Sequence, residues 1–422
     1  MHASLLSIGD ELLIGQVVNT NAAWLGEQLV AKGVDLVRVV TLGDDEEEIT
    51  QALAQALHDT DLVIVTGGLG PTHDDVTRQA VAKHFGVELV FDEAIYAQVQ
   101  ERFARRGLQM PASNRTQAEV PVGFEALPNP VGTAPGLWMA RKRGGITQRL
   151  AVLPGVPHEM KTMMENEVLP RILTSDRLST IRQKTLLTAG IGESNLQDEI
   201  GDLSDFLNGQ VRLAYLPGTN GVRLRLTAQG ADPVDTQARL DRFEAYLRQR
   251  IGARVYGEDT DVLEAVVGAM LRERGLTLAV AESCTGGLVC HRLTNIPGSS
   301  TYLRGGIVAY CNSVKTDLLG VAPDVLEADG AVSQRMALAM AQNVRVRLGA
   351  DVGVSTTGIA GPGGGTPEKP VGLVWIAYAD ADGARARKLH FSKDRRINKE
   401  LTATYVFNLI RQRLLARASL HA

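Results

Sequence analysis

The sequence predicts an α/β protein of three domains: an N-terminal doubly wound α/β/α domain, a small ferredoxin-like βαββαβ domain, and a C-terminal α/β domain. Three observations lead there. Apolar runs that stop at glycine alternate with helix-like segments through the first 170 residues. Two β-runs then meet across an Asn-Gly turn, inside a βαββαβ order. After residue 257 the α/β rhythm returns, with loops richer in glycine than any linker needs. A chain of 422 residues exceeds one hydrophobic core, and the boundaries are drawn at 1–170, 171–256 and 257–422.

In the first block, LLSIG (5–9) reads as a buried strand, 21–32 as an amphipathic helix and VDLVRVVTLG (34–43) as a second strand. A helix spans about 46–58, with Asp44-Asp45 placed to cap it. LVIVTGG (62–68) is continuously apolar and ends in glycine, as parallel strands covered on both faces do. Ligands of doubly wound sheets sit at the carboxyl ends of the strands. Those ends carry Gly9-Asp10-Glu11, Asp44-Asp45, and Gly67-Gly68-Leu69-Gly70-Pro71-Thr72-His73-Asp74-Asp75. Glycines let backbone N–H groups converge on an anion, and carboxylates beside a phosphate imply a divalent metal. The plainer alternative is a tight turn with an aspartate as N-cap. No GK[ST] follows, so the loop is not a Walker motif.

In the second block, KTLLTAGI is a strand and Glu193-Ser194 open a helix reaching Leu203. VRLAYLP and GVRLRLTAQ form the hairpin, 235–252 is a helix with Leu240, Phe243, Leu247 and Ile251 on one face, and ARVYGE closes as a strand. Arg212, Arg223 and Arg225 read as a solvated sheet face. In the third block Asp261 can cap the helix VLEAVVGAMLRERG. The strand LTLAVAES breaks into Cys-Thr-Gly-Gly, a PGSS turn precedes an apolar strand with Gly305-Gly306, and Tyr310 and Lys315 follow. A helix at 333–348, the STTGIAGPGGG loop, strands GLVWIAYA and ARKLHFS, and a helix over about 396–415 complete it.

Composition excludes several classes. Net charge is -4, which gives no long-range pull on phosphate backbones, so no nucleic-acid partner is expected. No apolar segment approaches the ~20 residues of a membrane span, and the N-terminus lacks the basic n-region of a signal peptide. Cys284, Cys290 and Cys311 are an odd number without ligand spacing, so they read as small core residues in a reducing, cytoplasmic protein rather than disulfides or zinc ligands. Exposed strand edges in the middle domain make a homodimer the expected assembly.

GDELLIG, NTN, GGLGPTHDD, NPVGTAPG and LPGVPHE together resemble the N-terminal domain of the competence/damage-inducible CinA family, a fold similar to the molybdopterin-binding domain of molybdenum-cofactor biosynthesis proteins. The resemblance implies metal-dependent hydrolysis of ADP-ribose to AMP and ribose 5-phosphate, with a divalent metal such as Mg²⁺. It puts catalysis and metal binding on Asp44 and Asp75, with Glu11 and Asp74 as further metal ligands. Substrate would meet Gly67, Gly68, Gly70, Thr72, Asn129 and Gly132. A pterin-directed nucleotidyl transfer is the alternative enzyme reading, and a competence or recombination accessory the alternative binding role. ESCTGG, PGSS, GGIVAYCN, Lys315, STTGIAGPGGG and KPVG resemble the CinA C-terminal domain. That resemblance implies metal-free hydrolysis of nicotinamide mononucleotide (NMN) to nicotinic acid mononucleotide and ammonia.

Amide hydrolysis needs a nucleophile, a base and oxyanion donors. No Ser-His-Asp set is visible, and Cys284 has no histidine beside it. Serine with lysine remains: Ser300 as nucleophile, Lys315 as a base made useful by burial, and Tyr310 to orient the proton. Ser283 is the alternative nucleophile. Ser283, Thr285, Gly286, Thr357 and Arg395 are expected to contact substrate, Arg395 at its phosphate. Set against these, Ser283 and Thr285 could simply cap the next helix, Tyr310 could lie half-buried in a strand, and Lys315 could be an exposed first-turn lysine.

Overall fold

A computed structural model describes residues 1–143, 145–173 and 180–420. They form two compact units, 1–182 with 229–237 and 183–228 with 238–422. The first unit contains strands β1 (His2–Ile8), β2 (Asp35–Leu42), β3 (Leu62–Thr66), β4 (Leu89–Phe91), β5 (Glu119–Pro121), β6 (Glu125–Leu127), β7 (Gly136–Arg143) and β8 (Ile146–Leu153). Six make one sheet in the order β2-β1-β3-β8-β7-β6, while β4 and β5 pair separately. The β2-β1-β3-β8 part is parallel, and β7 and β6 add antiparallel.

Alternation along the strands explains the double winding. Leu5, Ile64, Ala151 and Leu153 share one core with Leu25 and Leu29 of helix Thr20–Ala31. The intervening residues Leu6, Val63, Val65 and Val152 point to a second core with Ile49, Leu53 and Leu57 of helix Glu46–Asp59. Every residue of β3 is buried, as its unbroken apolar run foretold. Asn19 accepts from the Ala22 N–H and Asp45 from the Glu48 N–H, so Asp45 is the cap and Asp44 is left for the site.

Four further strands, β9 (Thr180–Thr188), β10 (Val211–Gly218), β11 (Gly221–Gly230) and β12 (Val255–Glu258), lie in the order β10-β11-β9-β12, with most of their length in the second unit. That is the expected split-βαβ arrangement, and the hairpin turns on Thr219-Asn220. Leu240, Phe243, Leu247 and Ile251 pack on Leu224 and Leu226, and Arg212, Arg223 and Arg225 face solvent. The helix opened by Glu193 ends at Ile200, where Gly201 takes a positive φ.

The C-terminal sheet contains β13 (Leu278–Glu282), β14 (Leu303–Val308), β15 (Val352–Gly358), β16 (Leu373–Asp380) and β17 (Gly383–His390), ordered β14-β13-β15-β16-β17. Strand β13 is parallel to both neighbours, and β16 and β17 run antiparallel. Helices Leu263–Glu273 and Arg395–Leu420 cover one face; Gln334–Arg347 covers the other. Asp261 does not cap its helix: it accepts the Glu258 N–H and closes the preceding turn.

Middle and C-terminal segments share one compact unit, and Arg411 is a physical reason. It is 4% exposed on the last helix and donates to the carbonyls of Ala253 (2.8 Å) and Val255 (3.2 Å) beside β12. Among the described residues no helix is long and apolar enough to cross a membrane.

Candidate functional site

In the first unit, the carboxyl ends of β1, β2 and β3 open into a cavity of about 510 Å³. Glu11, Asp44, Asp74, Asp75 and Glu159 line it together with Gly67, Gly68 and Gly70, and no basic side chain does. Gly67 has φ +103, and a Cβ there would collide with the Ile8 carbonyl at the end of β1, so the position requires glycine. From beneath, the buried Arg78 donates to the carbonyls of Leu69 and Gly70, both at 2.9 Å.

The carboxylates are in different states. Asp44 accepts the Asp10 N–H at 3.0 Å, yet its pKa is raised, first by burial and then by the charges of Asp10, Glu11 and Asp74. Asp74 lies exposed with its pKa lowered, chiefly by the Thr72 hydroxyl. Asp75 is not an N-cap: helix Thr77–Phe85 has no side-chain cap. Its carboxylate instead accepts from Gly70 N–H (2.8 Å), Thr72 N–H (2.9 Å) and the Thr72 hydroxyl, closing the loop on itself. Thr72 is thereby tied inside the loop.

Oxygen donors that repel one another suit a hard divalent cation. Among the described residues no three such side chains converge into a ready cage.

Asn129 and Gly132 line a smaller neighbouring cavity instead. The Asn129 amide is fully used: it accepts from Val131 and Gly132 N–H and donates to the Ala134 carbonyl and to Glu159 at 2.6 Å. Glu159 itself, in LPGVPHE, is a cavity residue that the sequence reading left without a role.

In the second unit, β13 and β15 end on Glu282 and Gly358, beside the end of β14 at Val308. Glu282 is completely buried and accepts three N–H groups: Gly287 (2.9 Å), Val289 (3.1 Å) and Cys290 (2.9 Å). It thus does for helix Leu288–Thr294 what Ser283 and Thr285 were set to do. That helix has no side-chain cap from its own N-cap residue. Thr285 Oγ1 meets Thr356 Oγ1 at 2.7 Å; the Ser283 N–H goes to the Thr356 carbonyl, and the Ser283 hydroxyl is left with no partner among the described residues. Gly286, next in the turn, is exposed.

Lys315 is 1% exposed, not a surface lysine. Nζ donates to the carbonyls of Ala309 (2.8 Å) and Tyr310 (3.3 Å), and no carboxylate pairs with it. Burial pushes its pKa down, opposed only by Cys311 and Cys284. Ala309 in turn donates to the Glu282 carbonyl, which brings the ammonium to the strand end that carries Ser283. Tyr310 is exposed rather than half-buried in a strand; its hydroxyl accepts from Arg395 at 2.6 Å, and Arg395 also donates to Gly361 of the glycine loop. Thr357 is buried and spends its hydroxyl on the Ala331 carbonyl.

Ser300 lies elsewhere. It precedes β14, whereas Lys315 follows it, and six strand residues at about 3.3 Å each put them roughly 20 Å apart. Ser300 thus stands at the far end of β14 from Lys315, whereas Ser283 follows β13, whose last residue pairs with Val308 at the Lys315 end. Burial pushes the Cys284 and Cys290 thiols up to about 12, which leaves them protonated, while Cys311 is exposed rather than a core residue.

Three family models match in order: "Probable molybdopterin binding domain" over residues 4–174, "Damage-inducible protein CinA KH domain" over 183–257, and "CinA C-terminal domain" over 260–414. A CinA-like protein of Salinibacter ruber is 50% identical over 98% of this chain and 100% of its own. The chain belongs to the CinA family. A second CinA-like protein, from Chloroherpeton thalassium, is 44% identical over 99% of this chain and 100% of its own. Among solved structures, the competence/damage inducible protein CihA of Agrobacterium tumefaciens is 39% identical over 36% of this chain and 93% of that one, with a TM-score of 0.35. The ferredoxin-like middle segment is therefore the KH-like domain of a CinA protein.

Proposed function

We propose that this CinA protein hydrolyses the carboxamide of NMN in its C-terminal domain and ADP-ribose in its N-terminal domain. The observation that carries the first activity is Lys315: a buried amine without a counter-ion, at the strand ends that also hold an unpartnered serine hydroxyl. A neutral amine there takes the Ser283 proton as Oγ attacks the amide carbon. The N–H groups of Cys284 and Thr285, which have no backbone acceptor among the described residues, would receive the oxyanion. Lys315 then passes its proton to the departing ammonia and activates the water that cleaves the ester. Arg395, oriented by Tyr310, meets the substrate phosphate.

In the N-terminal domain, Asp44 and one of its neighbours Glu11 and Asp74 would hold the divalent metal, which would supply charge neutralisation at the diphosphate. Of the three loop glycines, Gly68 keeps its N–H for that diphosphate, since the Gly67 N–H goes to the Leu153 carbonyl and the Gly70 N–H to Asp75. Asp75 keeps their loop in shape, and Asp44 sits where burial and neighbouring acids favour recruiting a cation.

Incubation with each substrate in the presence and absence of EDTA tests both halves. AMP release from ADP-ribose should require Mg²⁺ and fall at least about 10²-fold in Asp44→Asn. Ammonia release from NMN should be indifferent to EDTA. Metal-independent AMP release, or none with Mg²⁺ present, overturns the N-terminal reading.

A further inference from the structure

The smaller cavity beside the acidic one, about 130 Å³, has an apolar wall of Ile95, Val99 and Leu127. Its polar side holds Gln98 and Arg102, four residues apart on helix Glu93–Arg105 and so on one face. Thr133 lines both cavities and joins them.

Arg102 is the group without an explanation. Its Nη1 is buried and has no hydrogen-bond partner among the described residues. Nearby Arg105 is paired with Glu101 at 2.7 Å, whereas Arg102 faces the charges of Arg106 and Arg105 with only Glu159 opposing them. Glu159 already accepts from Asn129. Arginine cannot shed its proton to escape burial. The side chain as a whole is only half-buried, but a buried donor nitrogen without an acceptor carries a desolvation cost. A phosphate or carboxylate entering the cavity relieves it, because the guanidinium fork can give such a group two parallel hydrogen bonds. Among the described residues lining the acidic cavity none is basic, and Arg102 lines the cavity beside it.

We propose that the Arg102 cavity is an anion subsite of the N-terminal centre, taking the phosphomonoester or carboxylate end of a small ligand that reaches the acidic cavity past Thr133. The inference rests on reading the acidic cavity as a phosphate-ester centre, and it places the phosphate of ribose 5-phosphate on the Arg102 side once the diphosphate has been cleaved.

Isothermal titration of ribose 5-phosphate and of inorganic phosphate into the full-length chain, without metal, tests it. Ribose 5-phosphate should bind wild type at least tenfold more tightly than Arg102→Gln, with Arg102→Lys between them because it keeps the charge and loses the fork. Inorganic phosphate should follow the same order. Melting curves establish that the variants are folded, and Arg102→Lys carries the comparison if Arg102→Gln is not. Equal binding by wild type and the folded variants, or no binding of either probe to wild type, overturns the subsite. Arg102-dependent binding without any AMP release from ADP-ribose leaves the subsite and removes the hydrolase reading. AMP release whose inhibition by ribose 5-phosphate ignores Arg102→Gln removes the subsite alone.

Discussion

Replacing Lys315 by methionine separates what the amine does for chemistry from what it costs the fold. The side chain is 1% exposed, bonded only to two carbonyls, and burial lowers its pKa. The unfolded chain holds this lysine at about 10.4. Between the folded and unfolded values the unfolded state binds the extra proton, so wild-type stability rises with pH through that window. Below it the full penalty is present, about 1.4 kcal/mol for each unit of depression. Methionine matches the length and carries no charge. Lys315→Met should therefore be at least as stable as wild type at pH 7, and the gap should close as the pH approaches 10. Its ammonia release from NMN should fall by about 10³-fold or more, the usual scale for a lost general base. In wild type, kcat/KM should rise with pH as the amine loses its proton, at a pH below the ordinary lysine range. Denaturant melts across pH 6–10 and an ammonia assay on the same samples check both. A variant that is active within tenfold, or whose stability runs parallel to wild type at every pH, would refute the reasoning.

Two further outcomes follow from buried polar groups. Glu282→Gln replaces an acceptor of three N–H groups by an amide that can donate, so one or more donors lose their partner at about 1–3 kcal/mol each; the ammonia assay should show at least a tenfold loss, and a variant indistinguishable from wild type in both melt and assay contradicts this. Arg411→Leu strips the bonds to Ala253 and Val255 and leaves their carbonyls unpaired. It should cost about 2–4 kcal/mol, read as a drop of several degrees in calorimetric Tm, and an unchanged Tm would show that those bonds contribute little.

How much of this was legible in the sequence depends on which interactions are local. The LVIVT run named its own environment, because a strand covered on both faces has no polar positions. The Gly-Thr-Asn-Gly stretch announced the hairpin but not its register: Gly218 pairs with Gly221, so the loop is Thr219-Asn220 rather than Asn220-Gly221. The Asp45 cap was visible three residues from its partner. Glu282 was not, because it reaches N–H groups five to eight residues ahead, beyond any capping signature. Arg78 and Arg102 carried no pattern at all; one is buried by carbonyls of a loop nine residues away, the other by a cavity wall. The separation of Ser300 from Lys315 was readable and still missed. LRGGIV between them is itself a strand, and residues that flank a strand lie at its opposite ends.

Nothing tests the C-terminal site more directly than the ammonia-release rate from NMN for Ser283→Ala beside Ser300→Ala, without added metal. The geometry predicts that Ser283→Ala falls by about 10³-fold or more, while Ser300→Ala keeps turnover within tenfold of wild type. An inactive Ser300→Ala with an active Ser283→Ala would contradict the account, since the hydroxyl at the Lys315 end of β14 would then be idle.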